Sequence, residues 1–215
     1  MPNILIEFIF EKIFYIDAQY FKIYLKMVEK EDDPNILFVC RKMSVCWGMV
    51  DEGFFIMSNG NVYNFNLVPE MNESDDDYSS SSEEDYDFPN KEDFIKSLID
   101  ISKRTKPSKE CNRDEILKAY KLVGQIDKNS QLVLTASAFD SGQKTLSAFY
   151  NGYFIPLTTN GDESGGLDCK ELKQILDILE NANFYKWDSI NIDNFIQNSD
   201  SRRINVFPGD FLMNF

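Results

Sequence analysis

QLVLTASAFDSGQKTLSAFYNGYFIPL occupies residues 131–157. Gln131–Phe139, Lys144–Tyr150 and Tyr153–Leu157 have strand character, and turn signals separate them. Asp140-Ser141-Gly142 closes the first pair and Asn151-Gly152 the second. Asn-Gly is a strong hairpin signal because a two-residue turn of this hand needs φ > 0 at both positions. The stretch predicts a three-stranded antiparallel meander.

The same pattern runs through the N-terminal third. Tyr20–Met27 alternates, with Tyr20, Lys22, Tyr24 and Lys26 on one side and Phe21, Ile23, Leu25 and Met27 on the other. Period two with a split of character means a half-buried strand. Ile4–Phe10 is strand-like with a less clean pattern, a helix being the alternative there, and Ile36–Cys40, Val45–Val50, Phe54–Ser58 and Asn61–Leu67 are further strands, with Asn59-Gly60 as a hairpin turn between the last two.

The period changes to helical in three places. Asn90 with Asp93 forms a cap ahead of Phe94, Ile95, Leu98, Ile99 and Ile101. A second helix starts near Asn112, carries Ile116, Leu117, Tyr120 and Val123, and ends near Gly124. A D-x-x-E cap, Asp168 with Glu171, leads a third with Leu172, Ile175, Leu176 and Leu179 inside. Strands, helices, strands and a final helix, joined by hairpins, give an α+β fold. An antiparallel sheet built from hairpins and a meander carries about three helices. One domain is expected over residues 1–215, with a disordered acidic insertion at about 72–88.

That insertion holds most of the charge. The chain carries a net charge of −14. Between Glu70 and Asp93, eleven acids stand against one base, Lys91, so this window supplies ten of those negative charges. Asp75–Asp87 reads DDDYSSSSEEDYD and has no aliphatic residue. Such a segment cannot bury enough surface to offset its ordering entropy. Its functional reading is an arm for a basic protein, with Asp75, Asp76, Asp77, Glu83, Glu84 and Asp85 as charges and Tyr78 and Tyr86 as apolar contacts. Ser80, Ser81 and Ser82 each have an acid three residues on, a pattern that acidophilic kinases favour.

Composition excludes several chemistries. There is no histidine in the chain, which removes Ser-His-Asp and Cys-His nucleophiles and histidine zinc sites. The acidity disfavours nucleic-acid partners. Cys40, Cys46, Cys111 and Cys169 form no C-x-x-C pair and read as free thiols of a reducing cytosol. Met1–Ile16 lacks the basic region and cleavage site of a signal peptide. No apolar run approaches the roughly 20 residues that span a bilayer. A soluble cytoplasmic protein with no cofactor and no membrane partner is expected. Asp140–Thr145 ends in Lys-Thr but lacks the first glycine and the following helix of a phosphate loop. Trp47 and Trp187 read as core anchors.

One stretch resembles a metal loop. Asn160–Glu171 reads NGDESGGLDCKE. On a twelve-residue calcium loop it would place Asn160, Asp162, Ser164, Asp168 and Glu171 at ligand positions, with Gly165 at the sharp turn. Against this, Asn160 lacks the first charge, and Asn151-Gly152 with Pro156 leaves no entering helix. A polar turn followed by a capped helix is the preferred reading, so no metal site is expected.

A wider pattern joins these signals. Trp47-Gly48, Asn59–Phe65, two helices, Asp140–Thr145, Tyr150-Asn151-Gly152, Gly161-Asp162 and a final helix follow one another over roughly residues 36–182. The arrangement resembles small bacterial α+β immunity-type proteins encoded beside polymorphic or contact-dependent toxins. The resemblance implies a stoichiometric inhibitor, not an enzyme, with a toxin domain as partner. It transfers no site residue.

Overall fold

The computed structural model describes residues 35–44, 49–68, 88–136, 142–186 and 201–206. The chain divides into two compact units, Met1–Asn35 and Ile36–Phe215, and every described element belongs to the second. The strands expected at Ile4–Phe10 and Tyr20–Met27 lie outside the described residues. The expectation of one domain with an acidic insertion likewise falls largely outside them.

In chain order the elements are β1 (Ile36–Ser44), β2 (Val50–Met57), β3 (Asn61–Asn66), α1 (Lys91–Arg104), β4 (Lys109–Glu110), α2 (Arg113–Val123), β5 (Gln131–Ala136), β6 (Gln143–Tyr150), β7 (Tyr153–Gly161), β8 (Glu163–Leu167), α3 (Glu171–Asn181) and β9 (Arg202–Asn205). The nine strands form one sheet in the order β4-β3-β2-β1-β6-β7-β8-β5-β9. Every pairing is antiparallel. The sheet is open, with β4 and β9 at its ends. The fold is α+β, as the hairpin signals predict.

The meander is displaced from its expected place. β5 does not pair with β6. It pairs with β8 on one side and β9 on the other, while β6 lies between β1 and β7. The consecutive trio is β6-β7-β8. Its third member, Glu-Ser-Gly-Gly-Leu, carries almost no side-chain pattern and reads as a loop. Neighbouring backbones hold it extended. β7 also runs past the expected Leu157 to Gly161. Pro156 survives in this inner strand because the register with β6 shifts between Leu146 and Ser147, where a bulge spares a missing N–H.

The two Asn-Gly turns differ. Asn151 and Gly152 both have positive φ, 52° and 83°, and join the paired Tyr150 and Tyr153 directly. At Asn59-Gly60 only Gly60 is left-handed (φ 91°). There the Gly60 N–H donates to the Met57 carbonyl at 2.9 Å, a type I turn that ends in a left-handed glycine.

Both faces of the sheet are covered. Phe94 and Leu98 of α1 bury against Val39, Phe55, Met57, Tyr63, Phe65 and Phe154. The strand neighbours Phe38 and Phe54 point the other way. Phe38 meets Tyr120 of α2 edge-on at 6.0 Å, and Phe54 meets Phe184 at 5.4 Å. So α1 lies on one face, and α2 with the chain that follows α3 on the other. The caps of the first two helices are as expected. The Asn90 side chain accepts from Asp93 N–H, and that of Asn112 accepts from Asp114 and Glu115 N–H. α3 differs, starting at Glu171 with Lys170 at the cap and no side-chain bond there.

Candidate functional site

The residues proposed to meet a partner, Asp75, Asp76, Asp77, Tyr78, Glu83, Glu84, Asp85 and Tyr86, lie outside the described residues, as do Cys46, Trp47 and Trp187. The flanks of the acidic window are described. Glu92 and Asp93 stand exposed in the first turn of α1, where a helix N-terminus favours negative charge. Asn90 Nδ2 donates to Asp93 Oδ2 at 2.7 Å.

Beneath these flanks lies a buried ion pair that periodicity does not mark. Arg41 on β1 donates from Nε and Nη2 to the two carboxylate oxygens of Asp51 on β2, each at 2.7 Å. Their exposures are 5% and 0%. The pair is bidentate, the strongest geometry for this couple. The Phe94 ring lies 4.1 Å from the guanidinium carbon and the Phe88 ring 5.9 Å, both within cation–π range. The only hint in the sequence is a charged residue directly after the apolar run Ile36–Cys40, which the expected strand boundary left out. β1 continues to Ser44.

The calcium-like stretch becomes something else. Asn160 ends β7, Ser164 lies in β8, Asp168 follows β8, and Glu171 opens α3. The Ser164 hydroxyl donates to Asn160 Oδ1 at 3.0 Å. Asp162 sits in the tight β7–β8 connection, where its N–H donates to the Gly142 carbonyl at 3.2 Å. Asp168 makes no cap bond to α3. Its carboxylate takes Arg203 Nη1 of β9 at 3.0 Å. Glu171 is buried beside Lys170 Nζ at 3.6 Å. An extended β8, at roughly 3.3 Å per residue, keeps Asp162 and Asp168 apart. Among the described residues no three acidic or cysteine side chains gather as a metal site. A hairpin tied down by β9 replaces the expected loop.

The neighbouring polar side chains serve the sheet. Gln143 Nε2 donates to Thr159 Oγ1 and to the Glu163 carbonyl at 2.6 Å, while its Oε1 accepts from Glu163 N–H at 3.1 Å. Thr145 and Thr159 share a hydroxyl bond at 3.1 Å. Arg202 Nη2 reaches Glu163 Oε2 at 2.6 Å. These contacts link β6, β7, β8 and β9.

Cys40, Cys111 and Cys169 are free thiols. Burial pushes the Cys40 thiol up to about 12 and that of Cys169 up to about 11. Burial also raises Cys111. A protonated thiol is a poor nucleophile. Among the described residues no helix is long and apolar enough to cross a membrane. No protein-family model, curated protein or solved structure matches the chain.

Proposed function

We propose that this is a non-enzymatic, protein-binding protein that acts by stoichiometric association with a basic partner, and that the partner is a toxin domain which it neutralises. The observation that carries the reading is the placement of charge. Ten of fourteen net negative charges fall within residues 70–93, and two acids of that window, Glu92 and Asp93, stand exposed in the first turn of α1. A single-signed segment of this density steers a basic surface into encounter and sets specificity more than raw affinity. Further support comes from a chain without histidine and from described thiols held in the protonated form. The toxin assignment rests on the resemblance to immunity-type proteins.

The test compares the intact protein with one whose Asp75–Asp87 is replaced by a neutral Gly/Ser linker. Both are used to capture partners from the native host's lysate at rising salt. A basic protein recovered by the intact form alone, with recovery falling as salt screens the charges, is the expected result. Equal recovery by both forms would move the interface onto the folded domain. A gene for a large secreted toxin beside this one would favour neutralisation over a general acidic adaptor.

A further inference from the structure

Along β3 successive residues turn their main chains to opposite sides, as in any antiparallel ladder. Leu67 N–H donates to the Asp51 carbonyl at 2.8 Å, so Tyr63, Phe65 and Leu67 face β2. The even-numbered residues face outward. The Gly60 carbonyl accepts from Cys111 N–H at 2.9 Å, and the Val62 carbonyl accepts from Ser108 N–H at 2.8 Å. There β4 ends. Its register, Asn61 with Glu110 and Val62 with Lys109, would set Asn64 opposite Pro107, which has no N–H to give. Asn64 and Asn66 are exposed, and among the described residues no backbone pairs with theirs on the outer side. Both keep an open N–H and an open C=O.

Cations stand at this break. Lys103, Arg104, Lys106 and Lys109 are exposed, and Glu110 is the single acid between Lys103 and Arg113. Ser108 Oγ lies 3.5 Å from Asn64 Oδ1, and Lys106 comes two residues earlier, within roughly 7 Å along the chain. Among the described residues Lys103 and Lys106 meet no carboxylate. Arg104 reaches Asp100 at 3.8 Å, an exposed pair of little worth. The other end of the sheet differs, because Arg202 and Arg203 of β9 are matched by Glu163 and Asp168. Edge lysines often serve only to keep a sheet from pairing with other chains. Unmatched cations beside open ladder groups also suit a strand of opposite charge. We propose that the β3–β4 edge docks an extended acidic segment of a partner protein. That segment adds to the sheet alongside Asn64 and Asn66 while its carboxylates meet Lys103, Arg104 and Lys106. This inference does not rest on the function proposed above, which concerns a partner of the opposite sign.

The probe is an acetylated, amidated heptapeptide in which Glu alternates with Val or Thr, titrated at low salt into the full chain labelled with nitrogen-15. In the free protein the Asn64 and Asn66 amides should exchange with solvent much faster than those of Tyr63 and Phe65. Peptide at ten times its dissociation constant should slow Asn64 and Asn66 about tenfold, because only the free form exchanges. No binding up to millimolar peptide, or binding that leaves these two amides unprotected, would overturn the proposal. The same peptide N-methylated at every second residue keeps its charge but loses ladder donors, and should bind at least about fivefold more weakly. Equal affinity would reduce the contact to charge alone and overturn strand addition. Lys103→Glu/Lys106→Glu alters two exposed side chains and should weaken the parent peptide about tenfold, with the Tyr63 and Phe65 protection unchanged as proof of folding. A peptide with Lys in place of Glu should not bind. Unaltered affinity in the double variant, or equal binding of the Lys peptide, would overturn the charge selection. A decathymidylate that protects Asn64 and Asn66 as well as the peptide does would make the edge a general polyanion surface and overturn the proposal.

Discussion

On one side of β1 the sheet carries β2, β3 and β4, and on the other β6, β7, β8, β5 and β9. The first side is filled with rings. Phe55 stacks on Tyr63 at 5.4 Å, and Phe65 meets Phe94 edge-on at 5.6 Å. Its buried charge is concentrated in one bidentate pair. The second side buries Gln143, Thr145, Ser147, Thr158, Thr159 and Ser164 among its strands. Rings fill volume without directional demands, whereas each buried hydroxyl or amide requires a partner. The first side should therefore yield most when its buried ion pair is broken. The second should respond, in either direction, to single polar atoms.

The largest effect tests the first side. Asp51→Ala leaves Arg41 buried and uncompensated, and should destabilise the fold by about 3–5 kcal/mol in chemical denaturation. Arg41→Met/Asp51→Leu should recover most of that loss, because the penalty belongs to the orphaned charge and not to the missing pair. A double variant as unstable as Asp51→Ala would make the pair itself a main source of stability and would weaken the contrast.

The middle effect tests the second side, and its sign is the point. Thr159→Val conserves shape but removes the hydroxyl that accepts from Gln143 and meets Thr145. It should cost about 1–3 kcal/mol. Among the described residues the hydroxyls of Ser147 and Thr158 are buried without a hydrogen-bond partner. Ser147→Ala should therefore be neutral or stabilising, by up to about 1 kcal/mol. The same denaturation series reads both. If both variants destabilise equally, hydrogen bonding is not what separates these hydroxyls.

The two sides were also unequally legible in sequence. β3 and the hairpin from β6 into β7 announce themselves because their signals, an apolar run and a turn residue, lie within a dozen residues, whereas β2 reads as a strand only from Phe54, with Val50 given to a separate strand Val45–Val50, and in fact runs unbroken from Val50 through Asp51, Glu52 and Gly53 to Met57. Asn90 and Asn112 mark their helices for the same local reason. What stayed hidden depends on pairing between distant segments. β5 reads as the natural partner of β6, yet joins β8 and β9. β8 has two glycines and a serine in five residues, so no alternation betrays it. Lys109–Glu110 and Arg202–Asn205 are strands only because β3 and β5 present free edges to them. Asp168 reads as a cap or a metal ligand until β9 brings Arg203 beside it. Arg41 and Asp51 lie ten residues apart on strands whose register decides that they meet. No local rule pairs them.

The smallest effect contrasts one turn from each side. Asn-Gly occurs at residues 59–60 and at 151–152, and identical letters give different backbones. Asn151 is itself left-handed at φ 52°, whereas Asn59 is not. What Asn59 contributes is a side-chain oxygen that accepts from Asn61 N–H at 3.0 Å on an exposed surface. A left-handed residue other than glycine or asparagine is penalised by roughly 1–2 kcal/mol. An exposed hydrogen bond lost to water is worth roughly half a kcal/mol or a little more. Asn151→Ala should therefore destabilise by about 1 kcal/mol or more, and Asn59→Ala by about half as much. The ranking is the discriminating result, since both sites are exposed and neither change leaves a cavity. If Asn59→Ala proved the costlier, a left-handed Asn59 would be the explanation. The β2–β3 turn would then be the tight two-residue form that the letters suggest, and the aromatic side would close as the other hairpin does.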